Sequence, residues 1–467
     1  MDIDAQGAPY RPDPAILLLA PWLADPVRPA AFPEARVRWR NDRWASAVGL
    51  GGMDDAAWAA RFARFEPLAG NLPQPLALRY HGHQFRVYNP DLGDGRGFLY
   101  AQLRDGAKDA GGRLLDLGTK GSGQTPWSRQ GDGRLTLKGA VREILATEML
   151  EALGVNTSKT FSVIETGEAL QRGDERSPTR SAVLVRLSHG HIRIGTFQRL
   201  AYLREDEHMA QLVGYCLAQY PGPLPPVGAP GRDEPAVILL HQVVERLADL
   251  AAAWMVAGFV HGVLNTDNMN ISGESFDYGP WRWLPAWDPA FTAAYFDHGG
   301  LYAFGRQPEA LHWNCGQLAV ALRLLADAPP LIAALERFGP LYQAALARRF
   351  AWRLGIAPGA LDDDMALVAA AERQMRESAL SPDAFFAAHR GGTAPPEGAF
   401  GDIVAAREPV AAPLDLPVPT LEIAEVERVW AAIAEHDDWA PLNDKVAAIR
   451  ALGRALGPAP EPAPTLP

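Results

Sequence analysis

The sequence predicts an α+β protein of two lobes, a small strand-containing lobe followed by a larger, mostly helical one. From about Leu76 to Leu103, short apolar segments alternate with glycine turns, the mark of strands. Beyond about residue 200, long segments with apolar residues at helical spacing take over. The chain has 467 residues, more than one hydrophobic core usually serves. The expected division is a proline-rich strap over 1–45, a first lobe over 46–200, a helical lobe over 201–405, and a C-terminal strap with some helix over 406–467.

Leu137 to Leu153 places Val141, Ile144, Leu145, Met149 and Leu150 on one helical face, and Gly154 is a stop signal. Ser181 to Arg186 reads as a buried strand. His241 to Val260 is a long apolar helix through Val244, Leu247, Leu250, Trp254 and Phe259, entering a His261-Gly262 turn. Further helices are expected over Leu311–Leu325, Leu331–Leu354 and Asp362–Ser378. Glu408 to Thr420 carries four prolines and reads as a linker, and Gly457 to Pro467 as a disordered tail.

The net charge of −11 argues against a general nucleic-acid binder, though a local basic pocket is compatible with it. Two cysteines, Cys216 and Cys315, are too few for a disulfide framework and suggest a reducing compartment. The apolar run Ala15–Leu23 follows Asp2, Asp4 and Asp13 rather than basic residues and is too short to span a bilayer. A soluble, cytoplasmic monomer without nucleic-acid or membrane partners is expected.

The chemistry lies in an ordered set of residues. Leu92-Gly93-Asp94-Gly95-Arg96-Gly97 is followed by Lys120 within Gly118-Thr119-Lys120-Gly121-Ser122-Gly123. Glu143 comes next on the predicted helix, then Asn265-Thr266-Asp267-Asn268 and Asp277-Tyr278-Gly279. Glycine loop, lysine, helical glutamate, Asp-Asn loop and Asp-aromatic-Gly are the working parts of a protein kinase in kinase order. Gly93, Gly95 and Gly97 would let backbone approach phosphates, and Arg96 adds a charged fork. Lys120 could pair with Glu143, and a second turn, Gln130 to Arg134, offers more donors. Asp267 suits a general base, and Asn268 and Asp277 are hard oxygen ligands for Mg2+ or Mn2+.

Each piece has a plainer reading. Gly-Asp-Gly also makes hairpin turns, Glu143 could be a solvated carboxylate, and Asn/Asp clusters mark turns. Arg186 and Arg193, around Leu187 to Ile192, could grip a polyphosphate or form surface ion pairs; the residues leave both open. The pairs His81/His83 and His189/His191 lack a third ligand nearby and are read as structural rather than as a zinc site. The aromatic run Tyr278 to Trp287 is read as packing. A kinase of ordinary type and a non-catalytic nucleotide-binding scaffold remain as alternatives.

Tyr-His-Gly-His-Gln-Phe (80–85), residues 92–96, Lys120 to Arg134, Val-Arg-Glu (141–143), His261 to Met269 and Phe-Asp-Tyr-Gly-Pro (276–280) resemble the selenoprotein O (YdiU, UPF0061) family. The likeness runs from roughly 35 to 320. It implies a protein-kinase-like fold with ATP flipped and transfer of AMP to Ser, Thr or Tyr hydroxyls of proteins with loss of pyrophosphate; UMP transfer from UTP with manganese is also attributed to the family. By resemblance, Asp267 is the proton acceptor, and Asn268 and Asp277 are metal ligands. Gly93, Gly95, Arg96, Lys120, Asp132, Gly133, Arg186, Arg193 and Asp277 contact nucleotide, and Glu143 pairs with Lys120. The C-terminal selenocysteine or cysteine of many members is absent, and residues 291–300 drift from the family pattern, so disulfide control is not expected.

Overall fold

Residues 8–106, 111–173, 175–393 and 398–461 are described in the computed structural model. Of the tail Gly457 to Pro467 expected to be disordered, residues 462–467 lie outside the described residues. The chain is α+β: an antiparallel sheet dominates the first 190 residues and helices the remainder.

The main sheet uses β1 (Ala24–Pro26), β2 (Arg36–Arg40), β3 (Leu76–Leu78), β6 (Leu99–Arg104), β7 (Leu114–Lys120), β9 (Lys159–Leu170) and β10 (Thr179–Ser188). A hairpin of β4 (Gly82–Gln84) and β5 (Val87–Asn89) lies apart from it, and β8 (Leu135–Thr136) pairs with β10. The strand order is β1-β3-β6-β7-β10-β9-β2. β7 and β10 are buried almost throughout because both faces of the sheet are covered, which is why Ser181 to Arg186 reads as a continuous apolar run. Trp58, Phe62, Phe65, Phe98, Tyr100 and Phe161 pack on one face. The other face meets a helix whose Val141, Ile144, Leu145 and Met149 are fully buried.

The proline-rich first 45 residues are not simply a strap. They supply β1 and β2, the two outer strands of the sheet. These strands are short, and Pro26 is tolerated at an edge where its missing N–H faces no partner, so neither leaves a strong periodic signal.

The helices in chain order are α1 (Ala20–Leu23), α2 (Asp42–Ala47), α3 (Asp55–Phe62), α4 (Leu137–Ala152), α5 (Ile194–Leu203), α6 (Asp206–Gln219), α7 (Pro235–Val256), α8 (Gln307–Leu322), α9 (Ala328–Glu336), α10 (Phe338–Leu354), α11 (Leu361–Ser378), α12 (Pro382–His389), α13 (Ala399–Ala405), α14 (Ile423–His436) and α15 (Ala440–Leu456). α4 begins on Thr136, whose Oγ1 accepts from the Gly139 N–H at 3.1 Å, and ends before Gly154 at φ +72°. α7 is apolar all round and buried for most of its length. It stops at Val256 rather than Val260, because Gly258 takes a left-handed φ of +62° and Phe259–Val260 becomes β11. The expected helix Leu331–Leu354 is broken at Arg337 into α9 and α10.

β11 pairs with β12 (Arg282–Trp283), so residues 261–281 form one closed excursion. Asp267, Asn268 and Asp277 all sit on it. The aromatic run packs as expected, with Tyr278, Trp281, Trp283 and Trp287 buried.

The C-terminal segment returns to the first half of the chain. α15 packs on α4, where Gly453 approaches Ala152 so closely that an added Cβ would lie 3.1 Å from its Cα. Arg450 grips the buried Glu148 at 2.7 and 2.8 Å. The largest apolar cluster runs from the sheet through α4, α7 and α8 to α15 without interruption. Residue 200 lies within α5, and Ile194, Phe197 and Leu200 belong to that same cluster. No described helix is long and apolar enough to cross a membrane.

Candidate functional site

Of the residues expected to act on the hydroxyl, nucleotide or metal, all but Glu143 line one cavity of about 710 Å³ between the sheet and the 261–281 excursion, a volume typical of ligand sites. Glu143 lies directly behind Lys120.

Lys120 is the last residue of β7, not part of a loose turn, and is 3% exposed. Its ammonium donates to Glu143 Oε2 at 2.8 Å and lies 3.2 Å from Asp277 Oδ1. Arg186 on β10 approaches the same Asp277 oxygen at 3.4 Å and Glu143 Oε1 at 3.6 Å. Asp277 has φ +60°, a strained value for a non-glycine residue, and this turns its carboxylate into the cation cluster. Burial alone would raise its pKa, but Lys120, Arg186, Arg96 and Arg193 hold it well below the usual carboxylate range. Asp277 is therefore ionised, with both ion pairs on Oδ1.

Arg193, at the N-terminus of α5, is a tie rather than an open fork. Nη2 donates to Asp94 Oδ1 at 3.0 Å, and Nη1 to the Asp267 carbonyl at 2.9 Å and the Tyr80 hydroxyl at 3.2 Å. A phosphate reaching it would compete with these partners. Asp94, passed over in the sequence, also accepts from the Leu78 N–H at 3.0 Å and so locks the glycine segment to β3.

The glycines of that segment serve close packing. None of Gly93, Gly95 or Gly97 has a positive φ. A Cβ on Gly93 would fall 2.4 Å from the Trp127 ring, and one on Gly97 would fall 2.0 Å from the Thr119 carbonyl oxygen. Residues 125–128 brace the segment, with the Thr125 hydroxyl on the Asp94 carbonyl at 2.5 Å and the Ser128 hydroxyl on the Gly95 carbonyl. Gly97→Ala is expected to cost about 3 kcal/mol, read as a lower urea midpoint, because backbone rather than a movable side chain blocks the methyl. A Cβ on Gly118, inside β7, would likewise fall 2.2 Å from the His191 ring, so this glycine belongs to the sheet.

Asp132 and Gly133 stand on the outer rim. Asp132 is paired with Arg172 at 2.8 Å, and Gly133 takes φ +70° against the Gly123 backbone. Arg96, Arg129, Arg134 and Arg172 join Lys120, Arg186 and Arg193 on the cavity wall, against four aspartates. A basic pocket thus exists inside an acidic protein, as phosphate recognition requires.

The 265–268 loop is held by the β4–β5 hairpin, the part of the site least legible in the sequence. Asn265 Oδ1 accepts from the Phe85 N–H at 3.0 Å and the Tyr302 hydroxyl at 2.9 Å. Thr266 accepts from the His83 N–H at 2.7 Å and donates to Gln198 Oε1 at 2.6 Å, while Gln198 Nε2 reaches His83 Nδ1 at 2.7 Å. Asn268 donates its amide to the Val263 carbonyl at 3.1 Å, which leaves its Oδ1 for another partner. Gly82 lies beneath Asp267, where a Cβ would sit 3.1 Å from Asp267 Oδ1. Gln198→Leu is expected to lower turnover about tenfold with little change in nucleotide affinity, since Thr266 and His83 lose their common anchor. Steady-state kinetics with nucleotide varied would separate the two effects.

Three of these four histidines have side-chain partners: His81 the Tyr88 hydroxyl, His83 Gln198, and His191 the Asp116 carboxylate at 3.1 Å, while His189 Nε2 is buried without one among the described residues. Burial pushes His81 and His189 down to about 4, so they stay neutral.

Asp267 itself is 8% exposed, and its Oδ1 has no hydrogen-bond partner among the described residues. Burial pushes its carboxyl up to about 6, Arg193 opposes the rise, and the nearby charge of Asp277 adds to it. A carboxylate with this value on the wall of a basic cavity can accept a hydroxyl proton near neutral pH.

A sequence model of the family described as Protein adenylyltransferase SelO matches residues 10–394, well beyond the segment legible by eye. The chain is 43% identical over 471 residues to the protein nucleotidyltransferase YdiU of Synechocystis sp., covering 93% of this chain and 96% of that protein. It is 50% identical over 349 residues to the same-named protein of Synechococcus elongatus, covering 74% and 68%. The match to that of Pseudomonas paraeruginosa is 41% over 313 residues, covering 67% and 62%. With the family match spanning most of the described fold and the whole cavity, the chain belongs to the protein adenylyltransferase SelO family of nucleotidyltransferase enzymes.

Proposed function

We propose that this chain is a metal-dependent protein adenylyltransferase that moves AMP from ATP to Ser, Thr or Tyr hydroxyls of proteins. The frame is read as kinase-like, with the lobes meeting near residue 200 and the cavity between them. The observation that carries the reading is Asp267, with its raised pKa and unpartnered oxygen, beside the Asn268 and Asp277 oxygens under a wall of seven cations.

In this reaction the acceptor oxygen attacks the α-phosphorus. A new P–O bond forms, the bond from the α-phosphorus to the α–β bridging oxygen breaks, and pyrophosphate leaves. The hydroxyl proton passes to the Asp267 carboxylate. Arg96, Arg186 and Lys120 meet the negative charge of the phosphate chain, and Glu143 holds Lys120 in place. Asn268 Oδ1 and the Asp277 carboxylate are hard oxygens suited to Mg2+ or Mn2+, which when bound would neutralise phosphate charge. Among the described residues no three His, Cys, Asp or Glu side chains gather as a metal cluster, so the nucleotide's own oxygens would complete such a shell. Asn268 and Asp267 are adjacent, whereas phosphoryl-transferring kinases separate these two roles in the chain.

The test is incubation of the enzyme and acceptor protein with ATP labelled separately at the α and γ positions. Label from α in protein, with pyrophosphate released, is expected. Label from γ and none from α would replace the proposal with phosphoryl transfer.

A further inference from the structure

Away from this cavity, a second one of about 330 Å³ lies between the start of α7, α9 and the proline-rich segment 221–230. Its walls are apolar: Pro225, Pro226 and Val227 on one side and Pro330, Ala333 and Ala334 on the other. Its polar groups are His241 on α7 and Arg337 at the break between α9 and α10. No carboxylate lines it.

These two side chains are unspent. His241 is 1% exposed, and its Nε2 has no hydrogen-bond partner among the described residues. Arg337 Nε and Nη2 are likewise shut from solvent and without a partner among those residues. A buried guanidinium left unpaired is costly, and an anion that pairs with it lowers the cost. The nearest acid on α7, Glu245, is buried outside the lining, and burial pushes its carboxyl up even with Arg337 acting on it. Burial pushes His241 down to about 4, so its ring is neutral at pH 7.

The pocket is preformed. Gln242 donates to the Gly222 and Pro223 carbonyls at 3.0 and 3.3 Å, and Arg246 donates to the Tyr220 and Pro221 carbonyls at 2.6 and 3.0 Å. The far end of the proline segment is pinned where Gly231 packs so tightly that a Cβ would lie 2.7 Å from Pro330 and 3.0 Å from Val237. A wall anchored at both ends keeps its shape without ligand, which lowers the ordering cost of binding.

We infer that this cavity binds a compact organic carboxylate. The carboxylate accepts from the Arg337 guanidinium, with His241 beside it, and the apolar body rests on the proline and alanine walls. The site is independent of nucleotide transfer.

The test uses the full chain, with hexanoate, benzoate and inorganic phosphate as probes in calorimetry and thermal melts. Hexanoate or benzoate should bind and raise the melting temperature, with phosphate at least about tenfold weaker because it lacks an apolar body. Arg337→Gln should weaken carboxylate binding by about tenfold or more, the value of a lost charge-assisted pair. Ala333→Trp, which fills the cavity while keeping Arg337, should abolish it and decides the matter if Arg337→Gln gives no cooperative melt. The inference is overturned by no carboxylate binding up to about 10 mM, weaker than ligand-efficient sites of this size reach. It is equally overturned by phosphate binding as tightly as hexanoate, or by binding unaltered in a folded variant.

Discussion

Asp267→Asn is expected to lower AMP transfer by about 10²–10⁴-fold, the usual worth of a positioned general base, while making the protein more resistant to heat. The first half follows from the loss of the proton acceptor. The second follows from the sign of the pKa shift. The Asp267 carboxyl titrates at about 6 in the folded chain, above its ordinary value of 3.8. Between those values the folded protein holds a proton that the unfolded chain has lost, so this group's contribution to stability falls as pH rises from about 4 through 6. At pH 7 the full penalty, at most about 3 kcal/mol, is present, and the neutral amide removes it. In the wild type, kcat/KM should rise about tenfold per pH unit below about 6 and level off above it. That limb should vanish in Asp267→Asn. A variant that keeps wild-type transfer, or one that keeps the acid limb, would remove Asp267 from the role of base.

What was legible in the sequence was chemical type in order. Lys120, Glu143, Asp267, Asn268 and Asp277 can be found because the roles proposed for them demand particular side chains and the chain presents them in sequence. The reasons some of them sit where they do were not legible. Gly93 and Gly97 look like phosphate-approach glycines but answer to Trp127 and Thr119, whose positions only the folded sheet fixes. Arg193 reads as a phosphate fork and serves first as a bond between Asp94 and the Asp267 carbonyl, partners 99 and 74 residues away. The grip of His83 on Thr266 spans 183 residues and uses a backbone N–H, which carries no side-chain signature. The same holds for architecture. α4 and α7 announce themselves through strong apolar periodicity, whereas β1 and β2 are short edge strands beside prolines. The return of α15 to α4 depends on a surface 302 residues upstream.

Lys120→Ala is expected to lose at least about 10² in transfer and to destabilise the fold as well. Lys120 is buried at the end of β7 between two carboxylates. Its removal leaves Glu143 with only Arg186 at 3.6 Å, and Glu143 Oε1 already lacks a hydrogen bond among the described residues. Breaking one side of a buried ion pair costs about 3–5 kcal/mol, because the remaining charge is uncompensated rather than because the pair itself was worth that much. The two effects can be separated by a second substitution. Lys120→Met with Glu143→Gln deletes both charges at similar volume and should restore most of the urea midpoint lost in Lys120→Ala, yet transfer should stay low because no ammonium meets the phosphate chain. If Lys120→Ala melts at the wild-type urea concentration, the Lys120–Glu143 pair is not what holds β7 to α4. If the double variant recovers transfer along with stability, Lys120 acts through the fold and not on the nucleotide. Only stability recovered without transfer fits a lysine that the sheet and α4 bury in order to aim it.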